Sequence, residues 1–160
     1  TRVWPEMPYD AFMQAVVATY LPNERPRVLY IGYGETDEWA HERRYDHYLG
    51  TAHRVDGFIR DLWQAVQAMP GYAGKTTFII TTDHGRGSGL EDWTDHAKDV
   101  EGAENIWIAV MGPGIPGLGE RRDVPQVTQA QTAASIAAAV GMDWAKASGA
   151  APALPVFQGR

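Results

Sequence analysis

Apolar and polar residues occur along this chain in blocks that predict strands separated by helices. Three short runs rich in β-branched, aromatic and aliphatic residues are typical of buried strands: Arg27–Tyr33, Thr76–Thr82 and Ile106–Met111. Between them, apolar residues recur at steps of three and four, which is the period of a helix. Strands that alternate with helices favour an α/β layer fold with a mostly parallel sheet.

Three helices are predicted from this pattern. Asp10 can cap the first, which runs to about Tyr20 and is ended by Pro22, Asn23 and Pro26. Its buried face is expected to carry Phe12, Val16, Val17 and Tyr20.

The second predicted helix is long, follows the loop Gly34-Glu35-Thr36 and stops at Pro70-Gly71. Its apolar stripe comprises Tyr45, Leu49, Ala52, Val55, Ile59, Leu62 and Val66. The third predicted helix covers Thr128–Val140 and ends at Gly141, a suitable residue for a helix C-terminus.

No internal repeat or domain boundary is visible, so a single α/β domain is predicted over residues 1–144. The Ala- and Pro-rich residues 145–160 are expected to form a partly ordered tail. Three strands are few for a parallel sheet, and neighbouring strands are therefore expected to come from elsewhere.

Composition excludes several classes of function. With 14 basic and 20 acidic residues the net charge is −6, which does not suit a non-specific nucleic-acid binder. No apolar run approaches the ~20 residues that cross a bilayer, so no membrane insertion is expected. The chain has no Cys, and any metal must be held by nitrogen and oxygen ligands. A start at Thr1 leads us to expect a mature form or an excised piece.

The stretch Thr81-Thr82-Asp83-His84-Gly85 carries the most informative chemistry. It places a carboxylate and an imidazole side by side where the second predicted strand runs out into a loop. Such a pair is a natural part of a divalent-metal site. The alternative is an aspartate that shapes a turn beside an incidental histidine.

Asp37 and His41 form a second candidate pair. Their spacing of four residues places both side chains on one face of a helix, where they can reach the same ion. They also follow the first predicted strand, and α/β folds bind ligands beyond the carboxyl ends of strands. The alternative is an acid favoured by the helix dipole and a solvated histidine.

His96 lies in the polar loop after the second strand. It is predicted to be a ligand because the two candidate pairs need a further imidazole to complete a metal site. Alone it is more typical of a surface histidine. His47 and His53 lie off the apolar stripe of the long helix and are interpreted as solvated residues.

Together these residues resemble the metal-binding half of the alkaline phosphatase superfamily. That superfamily includes alkaline phosphatases, cofactor-independent phosphoglycerate mutases, nucleotide pyrophosphatases and sulfatases. The resemblance extends from about Arg27 to Trp144 and rests on Asp37-x-x-x-His41, Asp83-His84-Gly85, His96 and the segment Gln129–Trp144, in that order. It implies a three-layer fold with a mostly parallel sheet, truncated here because N-terminal strands are missing.

The resemblance also implies two divalent ions, with zinc or manganese best suited to this ligand set. Asp37, His41 and His96 would hold one ion, and Asp83 with His84 would contribute to the other. The superfamily's further Asp and its nucleophilic Ser or Thr have no counterpart here, so the chain is expected to be a fragment that lacks the nucleophile. Glu35, Glu38 and Asp95 are expected to add negative charge nearby.

The expected activity of the parent protein is metal-dependent hydrolysis or phosphoryl transfer on phosphate or sulfate esters. The alternative is a non-catalytic metal-binding module that pairs with a partner chain or with itself. Expected partners are thus a small ester substrate, a second copy of the chain, or the N-terminal portion of the parent. Many relatives are exported, which favours a secreted or periplasmic parent.

Overall fold

The computed structural model describes residues 4–5, 7–144 and 150–157 as an α/β structure. Its elements are α1 (Asp10–Glu24), α2 (Glu35–His41), α3 (Tyr45–Ala68), β1 (Phe78–Thr81), β2 (Ile108–Met111) and α4 (Gln131–Ala139). Two 3-10 turns, Asp92–Thr94 and Pro155–Phe157, complete the described secondary structure. The chain divides into two compact units: Thr1–Ala73 with His84–Ile106, and Gly74–Asp83 with Trp107–Arg160.

The first unit contains α1, α2 and α3. Its buried apolar side chains are Trp4, Val17, Leu21, Ala40, Leu62 and Val66. The predicted long helix is divided, because residues 42–44 form a turn in which Arg43 has a φ of 57°. Only the C-terminal part of the predicted stripe is buried, since Tyr45 and Leu49 are exposed.

The face predicted for α1 is wrong except at Val17. Phe12, Val16 and Tyr20 are exposed, whereas Val17 and Leu21 are buried. The helix also continues past Pro22 to Glu24. Pro22 has no N–H group and therefore removes one hydrogen bond of the helix, but it does not end the helix.

Asp10 begins α1 but does not cap it. Its carboxylate Oδ1 instead accepts hydrogen bonds from the backbone N–H groups of Gly34 (2.9 Å) and Glu35 (3.3 Å), at the start of α2. In return, Glu35 Oε2 accepts the backbone N–H of Asp10 at 2.7 Å. Each buried carboxylate therefore satisfies N-terminal donors of the other helix.

The predicted strand Arg27–Tyr33 is not a strand in the structure. Val28 and Tyr30 are 51% and 87% exposed, so the segment is not buried either. A strand persists only when its backbone groups pair with a neighbour, and no described strand pairs with this one.

The second unit contains β1, β2 and α4. The predictions of strands near Thr76–Thr82 and Ile106–Met111 are confirmed, but β1 and β2 pair antiparallel, with Phe78 opposite Met111 and Thr81 opposite Ile108. The expected parallel pairing is wrong for these two strands. A parallel pair needs a crossover, usually an α-helix, and the described residues 82–107 between β1 and β2 contain only a 3-10 turn.

The predicted helix at Thr128–Val140 is confirmed as the shorter α4. Gly141 has a φ of 75°, and the N–H of Met142 donates to the carbonyl of Ala137 at 2.8 Å, as expected at a glycine-terminated helix. Of the predicted tail, residues 145–149 and 158–160 lie outside the described part. Within 150–157, Leu154 and Phe157 are buried, and Leu154 N–H donates to Ser135 Oγ at 2.8 Å.

Candidate metal centre

Helix α2 brings two of the predicted ligands together. Asp37 and His41 are one helical turn apart, and Asp37 Oδ1 lies 3.5 Å from His41 Nε2. The helix begins directly after Gly34, where the Asp10 carboxylate holds its N-terminal N–H groups. The predicted proximity of Asp37 and His41 is therefore confirmed, on a short helix instead of a long one.

Two loops of the same unit add further imidazoles. His84 Nε2 lies 3.6 Å from Asp37 Oδ1, and His96 Nε2 lies 3.5 Å from the same oxygen. Donor atoms of Asp37, His84 and His96 all fall within 4.8 Å of one another. His41 Nε2 also lies 3.0 Å from His96 Nε2. One carboxylate oxygen is thus surrounded by three imidazole nitrogens.

The orientation of the rings supports this convergence. The rings of His84 and His96 stack with centroids 3.7 Å apart and planes at 14°. His84 Nδ1 lies 2.9 Å from the Gly85 carbonyl oxygen, and since a carbonyl can only accept, Nδ1 must donate. In the neutral ring, Nε2 then carries the lone pair facing Asp37. Metal-binding histidines use this arrangement, in which the outer nitrogen is held by a backbone carbonyl.

The spacing of the donor atoms fits a divalent ion. Zinc binds imidazole nitrogen at about 2.0–2.1 Å in tetrahedral geometry, which places neighbouring ligand atoms about 3.3 Å apart. The three distances of 3.5–3.6 Å around Asp37 Oδ1 are close to that separation. The side chains are also 25–43% exposed, so an ion can reach them from solvent.

Local backbone contacts hold the two loops. Gly85 N–H donates to the Ala103 carbonyl at 2.7 Å, and carbonyl oxygens lie so close that a side chain at position 85 would collide with them. The Asp95 carboxylate accepts the N–H groups of His96 (2.7 Å) and Ala97 (3.1 Å). These two hydrogen bonds lower the pKa of Asp95. Both loops therefore present their histidines from a constrained backbone.

Aromatic and ionic contacts connect the start of α3 with the His96 loop. The rings of Tyr45 and Trp93 pack edge to face with centroids 5.2 Å apart. Arg43, just before α3, donates a hydrogen bond of 3.0 Å to Glu91, which lies in the loop that contains His96. These contacts lie next to His41 and His96 in sequence and keep the two segments adjacent.

Asp83, the remaining predicted ligand, belongs to the second unit. It is exposed, and its main-chain oxygen accepts a hydrogen bond of 2.9 Å from Gln129 Nε2. Its role as a metal ligand stays a prediction. Gln129 was not singled out from the sequence, because an amide side chain that contacts a main-chain carbonyl carries no recognisable motif.

Arg86 also lies in the cluster, although it is not among the predicted ligands. Its side chain is only 13% exposed, and Nη2 contacts Asp37 Oδ1 while donating to the Asp37 main-chain oxygen at 3.2 Å. The available signal was its position two residues after His84 in the same loop.

Of the acids expected to add negative charge near the site, Glu35 differs from the expectation. Glu35 is 2% exposed and contacts Asp10, Trp39 Nε1 (3.4 Å) and Arg54 (3.6 Å). It is part of the packing between α1, α2 and α3. Of the other histidines, His47 stacks on Trp39 with centroids 4.5 Å apart, and His53 is exposed.

No helix within the described part of the chain combines the length and the apolar character needed to cross a bilayer.

Comparison with known proteins identifies the family of the chain. The family model for type I phosphodiesterases and nucleotide pyrophosphatases matches residues 2–143, which is most of the chain. No curated protein and no solved structure gives a significant match. The chain therefore belongs to the type I phosphodiesterase/nucleotide pyrophosphatase family, which is part of the alkaline phosphatase superfamily.

Proposed function

We propose that this chain carries the metal-binding part of a phosphoester hydrolase active site. Family membership supports hydrolysis of phosphoesters as the general activity. The observation that carries the proposal is the convergence of three imidazole nitrogens on Asp37 Oδ1 at 3.5–3.6 Å. A carboxylate and imidazoles without thiolates suit zinc or manganese.

In the proposed arrangement, Asp37, His41 and His96 hold one divalent ion, and Asp83 with His84 contribute to a second. When bound, the ions would supply positive charge that stabilises the negative charge developing on a phosphoryl group. The protein's own contribution is positional. Helix α2 sets the spacing of Asp37 and His41, and the Gly85 carbonyl orients the His84 ring.

The nucleophile is proposed to come from residues outside this sequence, as are the strands that would complete a parallel, three-layer sheet. Phosphate esters are the proposed substrates, with sulfate esters and phosphoryl transfer as variants of the same site chemistry. Family resemblance is the ground for proposing that the parent protein is exported. Pairing of the chain with a second copy or with the rest of the parent is proposed because an unpaired sheet edge needs cover.

Thermal unfolding tests the metal site. At a hundredfold excess of Mn²⁺ or Zn²⁺ over its dissociation constant, binding stabilises the folded state by about 2.7 kcal/mol. For a chain of this size we expect the melting temperature to rise by about 5–10 °C. The rise should disappear in His96→Ala and persist in the matched control His53→Ala, whose histidine is exposed on α3.

Turnover of an aryl phosphate tests where the nucleophile lies. The 160-residue chain should hydrolyse it slowly or not at all with metal present, since covalent catalysis supplies much of the rate. Rapid turnover that is lost in His84→Ala would contradict the proposal that the nucleophile comes from outside this sequence. An unchanged melting temperature at saturating metal would contradict the metal site itself.

A further inference from the structure

Arg86 lies against the candidate metal centre in a position that neither the family resemblance nor the proposed ligand set explains. Its guanidinium contacts Asp37 at two oxygens, the carboxylate Oδ1 and the main-chain carbonyl. The other terminal nitrogen, Nη1, is buried and has no hydrogen-bond partner among residues 4–5, 7–144 and 150–157. A buried charged donor without a partner is unfavourable, and such a group in a folded protein calls for an explanation.

The contact that does hold the Arg86 side chain is the one between Nη2 and Asp37. Asp37 Oδ1 is the atom on which the imidazole nitrogens of His41, His84 and His96 converge. Arg86 carries a fixed positive charge and pairs with the Asp37 carboxylate within this cluster. An ion held by Asp37, His41 and His96, as proposed above, would need a lone pair of the same oxygen.

A guanidinium and a divalent ion are both cations. If both contacted Asp37 Oδ1, they would repel each other strongly in this partly desolvated site. Arginine keeps its proton at all relevant pH values, so the repulsion cannot be relieved by deprotonation. Metal binding must therefore displace the guanidinium from Asp37 Oδ1 or proceed against its charge.

We propose that Arg86 is an internal counter-cation for Asp37 that competes with the divalent ion, so that loading the site is an exchange of one cation for another. This inference rests on the proposed metal site. It assigns Arg86 to the control of metal affinity, with no direct part in holding the ion. Arg86 would neutralise Asp37 when metal is scarce and would raise the metal concentration at which the site fills.

Isothermal titration with Mn²⁺ tests the exchange. Arg86→Gln keeps a hydrogen-bond donor and removes the charge, and it should bind Mn²⁺ about 5–150-fold more tightly than the wild type, the usual range for coupled binding. The control Arg60→Gln removes a guanidinium that is 65% exposed and paired with the adjacent Asp61, so its affinity should equal that of the wild type. Without metal, Arg86→Gln should melt at a lower temperature, because Asp37 then lacks a counter-charge.

Arg86→Lys gives a second test that does not depend on Arg86→Gln folding well. It retains the positive charge and should bind Mn²⁺ within about threefold of the wild type, well below the expected gain for Arg86→Gln. Equal or weaker binding by Arg86→Gln would overturn the inference and make Arg86 a residue that positions the ligands. A gain in Arg86→Lys as large as that expected for Arg86→Gln would also overturn it. Absence of Mn²⁺ binding by the folded wild type would refute the metal site and, with it, the exchange. Binding by the wild type without a gain in Arg86→Gln would refute the exchange alone.

Discussion

Two carboxylates on α2 lie two residues apart and have opposite surroundings. Glu35 is 2% exposed, and it accepts hydrogen bonds from the backbone of Asp10 and the indole of Trp39. The Asp37 side chain is 36% exposed and faces three imidazoles and a guanidinium. The first carboxylate joins helices, and the second is available to a ligand.

The difference shows that residue type alone does not assign a role to an acid in this segment. Glu35 and Asp10 each satisfy N–H groups at the start of the other's helix, which fixes the beginning of α2. Asp37 lies two residues after Glu35 on the same helix, and its carboxylate faces the three histidines. A rigid, buried contact thus supports an exposed cluster, which is a common requirement for ligand sites.

Loss of the Glu35 carboxylate should have the largest effect on stability. In Glu35→Ala, the Asp10 N–H and the Trp39 indole lose their acceptor, and Arg54 loses a partner at 3.6 Å. A buried donor that loses its acceptor costs about 1–3 kcal/mol, and Glu35 accepts from two donors. We expect a decrease of this size in the unfolding free energy from urea titration.

The matched control for this change is Glu42→Ala, which removes an exposed glutamate directly after the same helix. It should alter the unfolding free energy by no more than about 0.5 kcal/mol. If Glu35→Ala were as mild as Glu42→Ala, the structural role given to Glu35 would be wrong.

A side chain at Gly85 should disturb the exposed cluster. In Gly85→Ala, the new Cβ would collide with the carbonyl oxygens of Asn105 and Gly102, the second at 2.7 Å. Overpacking of this kind costs about 1–3 kcal/mol, and here it also moves the backbone next to His84. We expect a lower melting temperature and a smaller rise on addition of Mn²⁺.

Gly117→Ala provides the comparison, because a Cβ at position 117 meets no atom within 4 Å. Its melting temperature and its response to Mn²⁺ should match those of the wild type. A full Mn²⁺ response in Gly85→Ala would show that this backbone contact does not position His84.

The smallest expected effect is the pH dependence of the contribution that the buried Asp10 carboxyl group makes to stability. Burial raises the pKa of Asp10 above its ordinary value of 3.8. The folded state therefore takes up a proton at higher pH than the unfolded state, and the contribution of Asp10 to stability increases as the pH falls through the raised pKa towards 3.8. The unfolding free energy of the wild type minus that of Asp10→Asn should rise from pH 7 towards pH 4.

Asp46→Asn gives the opposite sign as a control. Arg44 lowers the pKa of Asp46 to about 2, so its stabilising contribution is present above 3.8 and is lost as the pH falls from 3.8 towards 2. A difference for Asp10→Asn that decreases on acidification would contradict the raised pKa of Asp10.

The parts of the fold and site that could be predicted are those governed by local spacing. Asp37 and His41 are one helical turn apart, so their proximity follows from helical periodicity. The strands near Phe78 and Ile108 follow from apolar runs in the sequence, and these two strands pair with each other. The end of α4 at Gly141 follows from the conformational freedom of glycine. Each of these depends on neighbours in sequence or on one pairing partner.

The errors concern features set by tertiary contacts. The run Arg27–Tyr33 has the composition of a strand but no described strand beside it. Phe12, Val16 and Tyr20 share a helical face, yet the packing of α1 buries Val17 and Leu21 instead. Glu35 is buried against Asp10, which is 25 residues away, and Arg86 against Asp37, which is 49 residues away. Local sequence patterns do not predict contacts between residues so far apart.

Anomalous X-ray scattering at the zinc edge, from crystals of the chain soaked in Zn²⁺, locates the bound ion directly. We expect an anomalous peak about 2.0–2.2 Å from the Asp37 carboxylate and from imidazole nitrogens of His41 and His96. Ordered crystals with zinc in the solution and no peak at these side chains, or with the imidazoles of 41, 84 and 96 directed to separate places, would contradict the proposed metal site.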